Sequence, residues 1–349
     1  MDLRKRGVKK FRAGLTGILT GVLIFLNPIQ IRGEDLSQNQ KIKIELYNET
    51  YFSSAIESVL RKVPQDSEGL KKNIQENTVS LEQLCEELAD SRAVIFSDVE
   101  FSSKQKAHIN KIVGKIAEKK GKEKVVMGLE LFYANQDNEI ERFIRGEISR
   151  DQLYANTGYD ILMKLYDSLQ YGNMLDFLKN KGIKTIGINK PINPKIFDFL
   201  KEMSRKGEKP PYKIPEGFTE EEIMNLGFNF YERDVFVSER AKEILQAQEK
   251  TFICFIGAKH GYENHLPKIM KEIAGIKPRV VEWSLDSLHF MGGRLYFDKS
   301  RYERLNALGL NEDNALGVGE DFFINFELDE AEANKYYETI RGVRGKWKQ

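Results

Sequence analysis

Short apolar runs alternate with amphipathic segments along most of this chain, and this alternation restricts the fold more than any other feature of the sequence. The apolar runs are Ala93–Phe96, Lys124–Phe132, Ile183–Ile188, Thr251–Ile256, Arg279–Trp283 and Phe322–Phe326. Runs of this kind are typical of strands that are buried on both faces of a sheet. We therefore predict an α/β fold over residues 76–349, with a mainly parallel sheet that is covered by helices on both faces.

The segments between the apolar runs show the spacing of amphipathic helices. The predicted helices are Leu81–Asp90, Lys104–Lys119, Asn138–Ile144, Ser149–Tyr154, Ile161–Lys181, Glu220–Gln248, His265–Ala274 and Asp329–Arg341. Ser80 followed by Gln83 resembles a capping box for the first of them. Gly182 stands where the fifth would end, as glycine often does.

The first 33 residues have the pattern of a leader. Six of residues 2–12 are basic, and Ala13–Leu26 is an uncharged apolar run of fourteen residues. A basic segment before a short apolar run is typical of a signal peptide, and an uncleaved membrane anchor fits the same pattern. A buried core helix is the alternative, but the preceding basic cluster argues against it. We expect export, with the protein either periplasmic or membrane-anchored through this segment and facing outside the cytoplasm.

Residues 34–75 are polar and rich in lysine, and they contain one alternating run, Lys41–Tyr47. This composition predicts a linker with a peripheral strand between the leader and the α/β domain. The sequence thus divides into segments 1–33, 34–75 and 76–349.

Charge and cysteine content exclude some classes of function. The chain has 54 Lys and Arg and 53 Asp and Glu, for a formal net charge of +1. Such a balance gives no support for nucleic-acid binding. Cys85 and Cys254 both lie in apolar-periodic segments, so we predict buried core thiols rather than a disulfide or metal ligands.

Four of the predicted strands carry polar residues near their carboxyl ends, three of them just after the apolar run and one, Glu130, inside it. These residues are Asp98 and Glu100, Glu130, Asn189, and His260. In open α/β sheets the functional crevice lies beyond the carboxyl ends of the strands. Carboxylates with one imidazole suit a divalent metal such as zinc, manganese or iron(II), and would equally suit general acid–base chemistry. Alternatively, each residue merely caps a neighbouring helix or fills a turn.

Several of these segments together resemble the haem-binding uptake ChaN-like family of the Tiki superfamily. The resemblance covers roughly residues 76–285 and is carried by TVSLEQLCEELADSRAVIFSDVEFSSKQKAH, GLELF, a strand ending in GIN, YERDVFVSERAKEIL with the pair Arg233-Asp234, and IGAKHGYENHLP. Members carry two Gly-x-x-His motifs and a glutamate at strand ends. Gly257-x-x-His260 matches the second motif and Glu130 matches the glutamate, whereas Ser97-Asp98-Val99-Glu100 stands in place of the first.

The resemblance implies a haem or metal cofactor, since some members bind haem. It implies Asp98, Glu100, Glu130 and His260 as metal ligands, and Asn189, Tyr154 and Tyr159 as ligand-binding residues. Tyrosine can be an axial ligand of haem iron, although tyrosines spaced in helices are commonly core or boundary residues.

Three hypotheses of function follow from the resemblance. The first is an exported cell-envelope protein that binds haem or an iron species at the carboxyl edge of the sheet and serves iron uptake. The second is a degenerate member without catalysis, kept as a binding or scaffold module, and the altered first motif favours it over the third. The third is a metal-dependent hydrolase using Asp98, Glu100, Glu130 and His260. The sequence is also compatible with a homodimer.

Overall fold

A computed structural model shows how the chain folds. It describes residues 66–98, 102–158, 171–191, 230–246, 249–283, 288–291, 294–297 and 299–329, and the single positions 193, 195, 196, 198, 217, 219, 331, 332, 334 and 335. The predicted leader, the strand Lys41–Tyr47, Glu100 and Tyr159 lie outside these residues. Among the described residues, no helix is long and apolar enough to cross a membrane.

Helices and strands alternate through the described part of the chain. In chain order they are α1 Ser67–Asn77, β1 Thr78–Ser80, α2 Leu81–Asp90, β2 Ala93–Asp98, α3 Ser103–Lys120, β3 Val125–Tyr133, α4 Asp137–Ile144, α5 Arg150–Thr157, α6 Tyr171–Lys181, β4 Lys184–Asn189, α7 Phe230–Ile244, β5 Thr251–Gly257, α8 Leu266–Ala274, β6 Arg279–Trp283, β7 Leu288–Met291, β8 Arg294–Phe297, α9 Lys299–Ala307, β9 Asn314–Val318 and β10 Asp321–Ile324.

Local sequence signals set several of the helix boundaries. The Ser80 side chain accepts a hydrogen bond from the amide of Gln83, and the Gln83 side chain accepts one from the amide of Ser80, which completes the predicted capping box. Ser102 caps α3 in the same way through the amide of Gln105. Gly182, directly after α6, has a φ of 63°, a conformation that favours glycine.

The main sheet has eight described strands in the order β1-β9-β10-β6-β2-β5-β3-β4. The pairs β10–β6, β6–β2, β2–β5, β5–β3 and β3–β4 are parallel. The two pairs at the other edge, β1–β9 and β9–β10, are antiparallel. The mainly parallel sheet is therefore confirmed, and its antiparallel edge is an addition that the sequence did not predict.

Both faces of the sheet are covered, as predicted. Alternate residues of β2 point to opposite sides: Val94 and Phe96 pack in a core with α2, α3 and α6, whereas Ala93 and Ile95 pack in a second core with α7 and α8. A smaller cluster joins α1 to the antiparallel edge. Cys85 and Cys254 are buried free thiols, as predicted.

The described structure differs from the sequence predictions mainly in short or terminal elements. Residues 67–75, predicted as the end of a linker, belong to helix α1. The elements β1, β7, β8, α9 and β9 were not predicted. Within the predicted helix Ile161–Lys181 the structure describes α6, and within the predicted helix Glu220–Gln248 it describes α7. The predicted helix Asp329–Arg341 lies largely outside the described residues.

Candidate functional site

The strands that carry the predicted site residues are neighbours in the sheet. β2, β5, β3 and β4 lie side by side and run parallel, so their carboxyl ends meet at one edge. Asp98 ends β2, Asn189 ends β4, and His260 follows β5 in a short 3₁₀ turn, Ala258–Gly261. The polar residues that were predicted for this edge do lie there, as far as the structure describes them.

The sheet nevertheless separates Asp98 from Glu130 and His260. Asp98 points to the same face of the sheet as Val94 and Phe96, and it contacts residues of α3 and α6. Glu130 lies on the other face, where it contacts α7 and Gly257, the last residue of β5. Because neighbouring positions of a strand point to opposite faces, two carboxylates at the same edge can serve different sites.

Asp98 is held by a lysine and a tyrosine. Its Oδ1 accepts a hydrogen bond from Lys106 Nζ at 2.7 Å, and its Oδ2 accepts one from the hydroxyl of Tyr171. Lys106 belongs to α3 and Tyr171 is the first residue of α6. All three side chains are buried. Both oxygens of this carboxylate are thus engaged by the protein itself.

Glu130 is held by an arginine and a backbone amide. Its Oε1 pairs with the guanidinium of Arg233 on α7. Its Oε2 accepts a hydrogen bond from the amide of Gly257 at 2.5 Å. The Glu130 side chain keeps 15% exposure, whereas that of Arg233 keeps 4%. This ion pair therefore lies at the boundary between the core and solvent.

His260 is fully buried, and its orientation is fixed by Asp234. A carboxylate can only accept a hydrogen bond, so Nδ1 of His260 carries the proton that it donates to Asp234 Oδ1. The opposite nitrogen, Nε2, then presents its lone pair toward Glu130 Oε1, 3.9 Å away. Burial lowers the pKa of His260, and the nearby Asp234 carboxylate only partly offsets this effect. The imidazole is therefore held neutral at neutral pH.

Asn189 supports the backbone beside Glu130. Its side-chain amide donates a hydrogen bond to the carbonyl oxygen of Glu130. The pairing of β3 with β4 shifts register between Leu129 and Tyr133. A Cβ at Gly187 would stand 2.5 Å from the carbonyl oxygen of Tyr133, so only glycine allows this close approach of the two strands. Asn189 and Gly187 thus shape the irregularity that follows Glu130.

Tyr154, one of the two predicted ligand-binding tyrosines, is buried in the core on the α3 side of the sheet. Its packing there matches the alternative interpretation of a core residue. Tyr159 and Glu100 lie outside the described residues, and their roles stay predictions.

The described donor set fits a metal ion poorly. Lys106 and Tyr171 engage Asp98, Arg233 and the Gly257 amide engage Glu130, and Asp234 engages His260. In the part of the chain that the structure describes, no three His, Cys, Asp or Glu side chains are grouped so that they could hold a metal. The described side chains at this edge are therefore paired with one another and are not arranged as metal ligands.

Three residues of this edge were not assigned to the site from the sequence: Lys106, Arg233 and Asp234. Two of them could have been recognised, because Arg233 and Asp234 are adjacent charged residues within an amphipathic helix. If that helix is buried, both charges need a partner. The burial of Lys106 could not be expected, because a lysine in a lysine-rich helix normally faces solvent.

One family model matches part of the chain. Residues 84–207 match the family model described as haem-binding uptake, Tiki superfamily, ChaN. The resemblance to the ChaN family is thereby confirmed over this part of the chain, which includes β2, β3 and β4. No curated protein is significantly similar to the sequence.

Solved structures with similarity to this chain include a ChaN protein and bacterial effectors. ChaN of Campylobacter jejuni, described with cofacial haem binding, is 14% identical over 61% of this chain and 89% of its own, with a TM-score of 0.43. The type III effector HopBA1 is 14% identical over 59% of this chain and 83% of its own, with a TM-score of 0.35. RRSP, a MARTX toxin effector domain from Vibrio vulnificus, is 14% identical over 64% of this chain and 41% of its own, with a TM-score of 0.31. At these scores the similarities add no argument about function.

Proposed function

We propose that this protein binds haem or a related iron species outside the cytoplasm and serves iron uptake. The observation that carries the proposal is the match of residues 84–207 to the haem-binding ChaN family. The basic and apolar leader pattern of residues 1–33 supports export.

Two of the predicted ligands are poorly placed to coordinate haem iron. Tyr154 is 4% exposed and His260 is fully buried with its Nδ1 bound to Asp234. A porphyrin needs an axial ligand that projects from the surface or into an open crevice. Of the residues that the sequence indicated, Tyr159 is the one that we propose as the iron ligand, since phenolate oxygen is an established axial ligand.

Optical titration of matched tyrosine variants tests this proposal. Haem added to the purified protein should give a shifted Soret band with a defined endpoint. Tyr159→Phe should weaken or abolish that shift, whereas Tyr154→Phe should leave it unchanged because Tyr154 packs in the core. Equal Soret changes in both variants would remove Tyr159 as ligand, and no Soret shift in the wild type would reject haem binding itself.

The geometry of His260 favours one second candidate, an acid–base hydrolase that works without a metal ion. A neutral imidazole, oriented by a buried carboxylate and facing a second carboxylate across 3.9 Å, is the arrangement of a general base. The Glu130 side chain is partly exposed, so a substrate or water molecule would reach His260 past Glu130. Arg233 would then hold Glu130 in place.

This candidate predicts hydrolysis that survives a chelator. Peptide and ester substrates should be cleaved equally with and without EDTA, and His260→Gln should abolish cleavage while the far-ultraviolet circular dichroism spectrum is kept. Cleavage that EDTA stops would contradict the metal-free mechanism, and cleavage that His260→Gln retains would contradict the role of His260.

A further inference from the structure

A lysine lies in the interior of the protein at the carboxyl end of the central strand β2. Lys106 is 1% exposed, although it belongs to a helix whose other lysines include Lys104, with 47% exposure. Burying an ammonium group without a partner is too costly to persist in a folded protein. The partner is Asp98, whose Oδ1 lies 2.7 Å from Lys106 Nζ.

Aromatic rings complete the surroundings of this ammonium group. Lys106 Nζ lies 4.7 Å from the centroid of the Tyr171 ring and 5.7 Å from that of Phe255. Ring faces attract a cation at these distances. The same Tyr171 donates its hydroxyl proton to the second oxygen of Asp98. A carboxylate and two aromatic rings therefore surround one positive charge.

We propose that Lys106 is a built-in counter-cation for Asp98, occupying the position that a divalent metal ion would take beside this carboxylate. Asp98, Lys106 and Tyr171 then form a metal-independent latch that ties β2 to α3 and α6. The inference goes beyond the proposed haem binding and does not depend on it. It assigns Asp98 a structural role at the strand end where the family resemblance implies a metal ligand.

Electrostatics favour Lys106 as the cation beside Asp98 and disfavour a metal ion bound there together with it. A second cation within bonding distance of Asp98 would lie a few ångströms from the ammonium of Lys106, and like charges repel strongly where water is excluded. Each oxygen of Asp98 also already has a partner within the protein, Lys106 for Oδ1 and Tyr171 for Oδ2. The latch lies on the α3 face, whereas Glu130 and His260 lie on the α7 face, so the two groups act separately.

Divalent cations give the first test. The melting temperatures of the wild type and of Asp98→Asn should respond identically to EDTA, to Mn²⁺ and to Zn²⁺. A cation that raises the melting temperature of the wild type but not that of Asp98→Asn would overturn the proposal, because it would show a metal bound at Asp98.

Lysine acylation gives a second test that needs no variant. Treating the folded wild type with an amine-reactive acetylating ester, followed by peptide mass spectrometry, should modify Lys104 readily and leave Lys106 unmodified. Unfolding in denaturant should make both react. Modification of Lys106 at the rate of Lys104 in the folded protein would overturn the burial on which the latch depends.

A double-mutant cycle gives a third test of the pairing itself. Lys106→Met and Asp98→Asn should each lower the melting temperature, because each leaves a buried charge without its partner. The double variant should lose clearly less than the sum of the two losses. Strictly additive losses would contradict the pairing, and the acylation test decides the matter if a single variant fails to fold.

Discussion

Asp234 and His260 form a hydrogen-bonded carboxylate–imidazole pair in which both side chains are fully buried. Asp234 comes from helix α7 and His260 from the turn after strand β5, so the pair joins a covering helix to the carboxyl edge of the sheet. The pair fixes which ring nitrogen carries the proton and directs the other toward Glu130.

Removing the charge of Asp234 should destabilise the fold. Asp234→Asn keeps the shape but weakens the acceptor for His260, so the free energy of unfolding should fall by about 1–3 kcal/mol. Urea denaturation measures this loss. The matched control is Asp313→Asn on the surface, which should change stability little because Asp313 is 80% exposed. Similar losses of unfolding free energy in the two variants would contradict a stabilising role of the buried Asp234–His260 pair.

Acid should destabilise the protein partly through His108. Burial lowers the pKa of His108 to about 4, while Trp283 donates a hydrogen bond to its Nδ1. The unfolded chain binds a proton near the ordinary pKa of 6.5, so the stabilising contribution is complete above pH 6.5 and is lost as the pH falls toward 4. The slope from this residue is at most about 1.4 kcal/mol per pH unit.

The variant His108→Gln isolates that contribution, because glutamine can still accept from Trp283 but does not titrate. The difference in unfolding free energy between wild type and variant should shrink between pH 7 and pH 5. The variant should remain somewhat acid-sensitive, since burial also lowers the pKa of His260. A difference that stays constant over this pH range would contradict a buried neutral His108.

Glu130 and Arg233 should behave as a coupled pair. Glu130→Gln removes the carboxylate that pairs with the buried guanidinium and should cost about 3 kcal/mol. Arg233→Met should be destabilising as well, and the double variant should lose less than the sum, with a coupling of about 0.5–3 kcal/mol. Chemical denaturation of the four proteins gives the cycle. An additive result would mean that Glu130 is held by the Gly257 amide alone.

Gly187 should not tolerate a side chain. The Cβ of alanine would meet the carbonyl oxygens of Tyr133 and Phe132 at 2.5 and 2.8 Å, and main-chain atoms cannot easily move away. Gly187→Ala should therefore lower the unfolding free energy by about 2–3 kcal/mol. Gly114→Ala is the control, because its Cβ would meet only the Phe177 ring at 3.3 Å. If the control lost as much stability as Gly187→Ala, the tight approach of β3 and β4 would not be the cause.

The sequence predicts those parts of the fold that depend on local signals. Ser80 and Gln83 are three residues apart and cap α2 through contacts made within one turn, so the pattern was sufficient. The buried strands were equally clear because apolar runs mark them directly. By contrast, β1 has three residues and pairs with β9, more than 230 positions away, which no local pattern could show.

The candidate site could be predicted only as a list of strand ends. Asp98, Glu130 and His260 do reach the same edge, because parallel strands place their carboxyl ends together. Which face each side chain takes depends on strand register and on the irregularity after Leu129, which the sequence does not display. The burial of Lys106 was hidden for a similar reason, since only the packed structure shows that α3 turns this lysine inward.

Spectroscopic titration of the wild-type protein with ferric haem tests the central claim most directly. We expect a shifted Soret band that saturates at a fixed ratio of haem to protein, and a melting temperature that rises with bound haem because the ligand binds the folded state. A spectrum that equals free haem plus protein at every ratio, with an unchanged melting temperature, would contradict it.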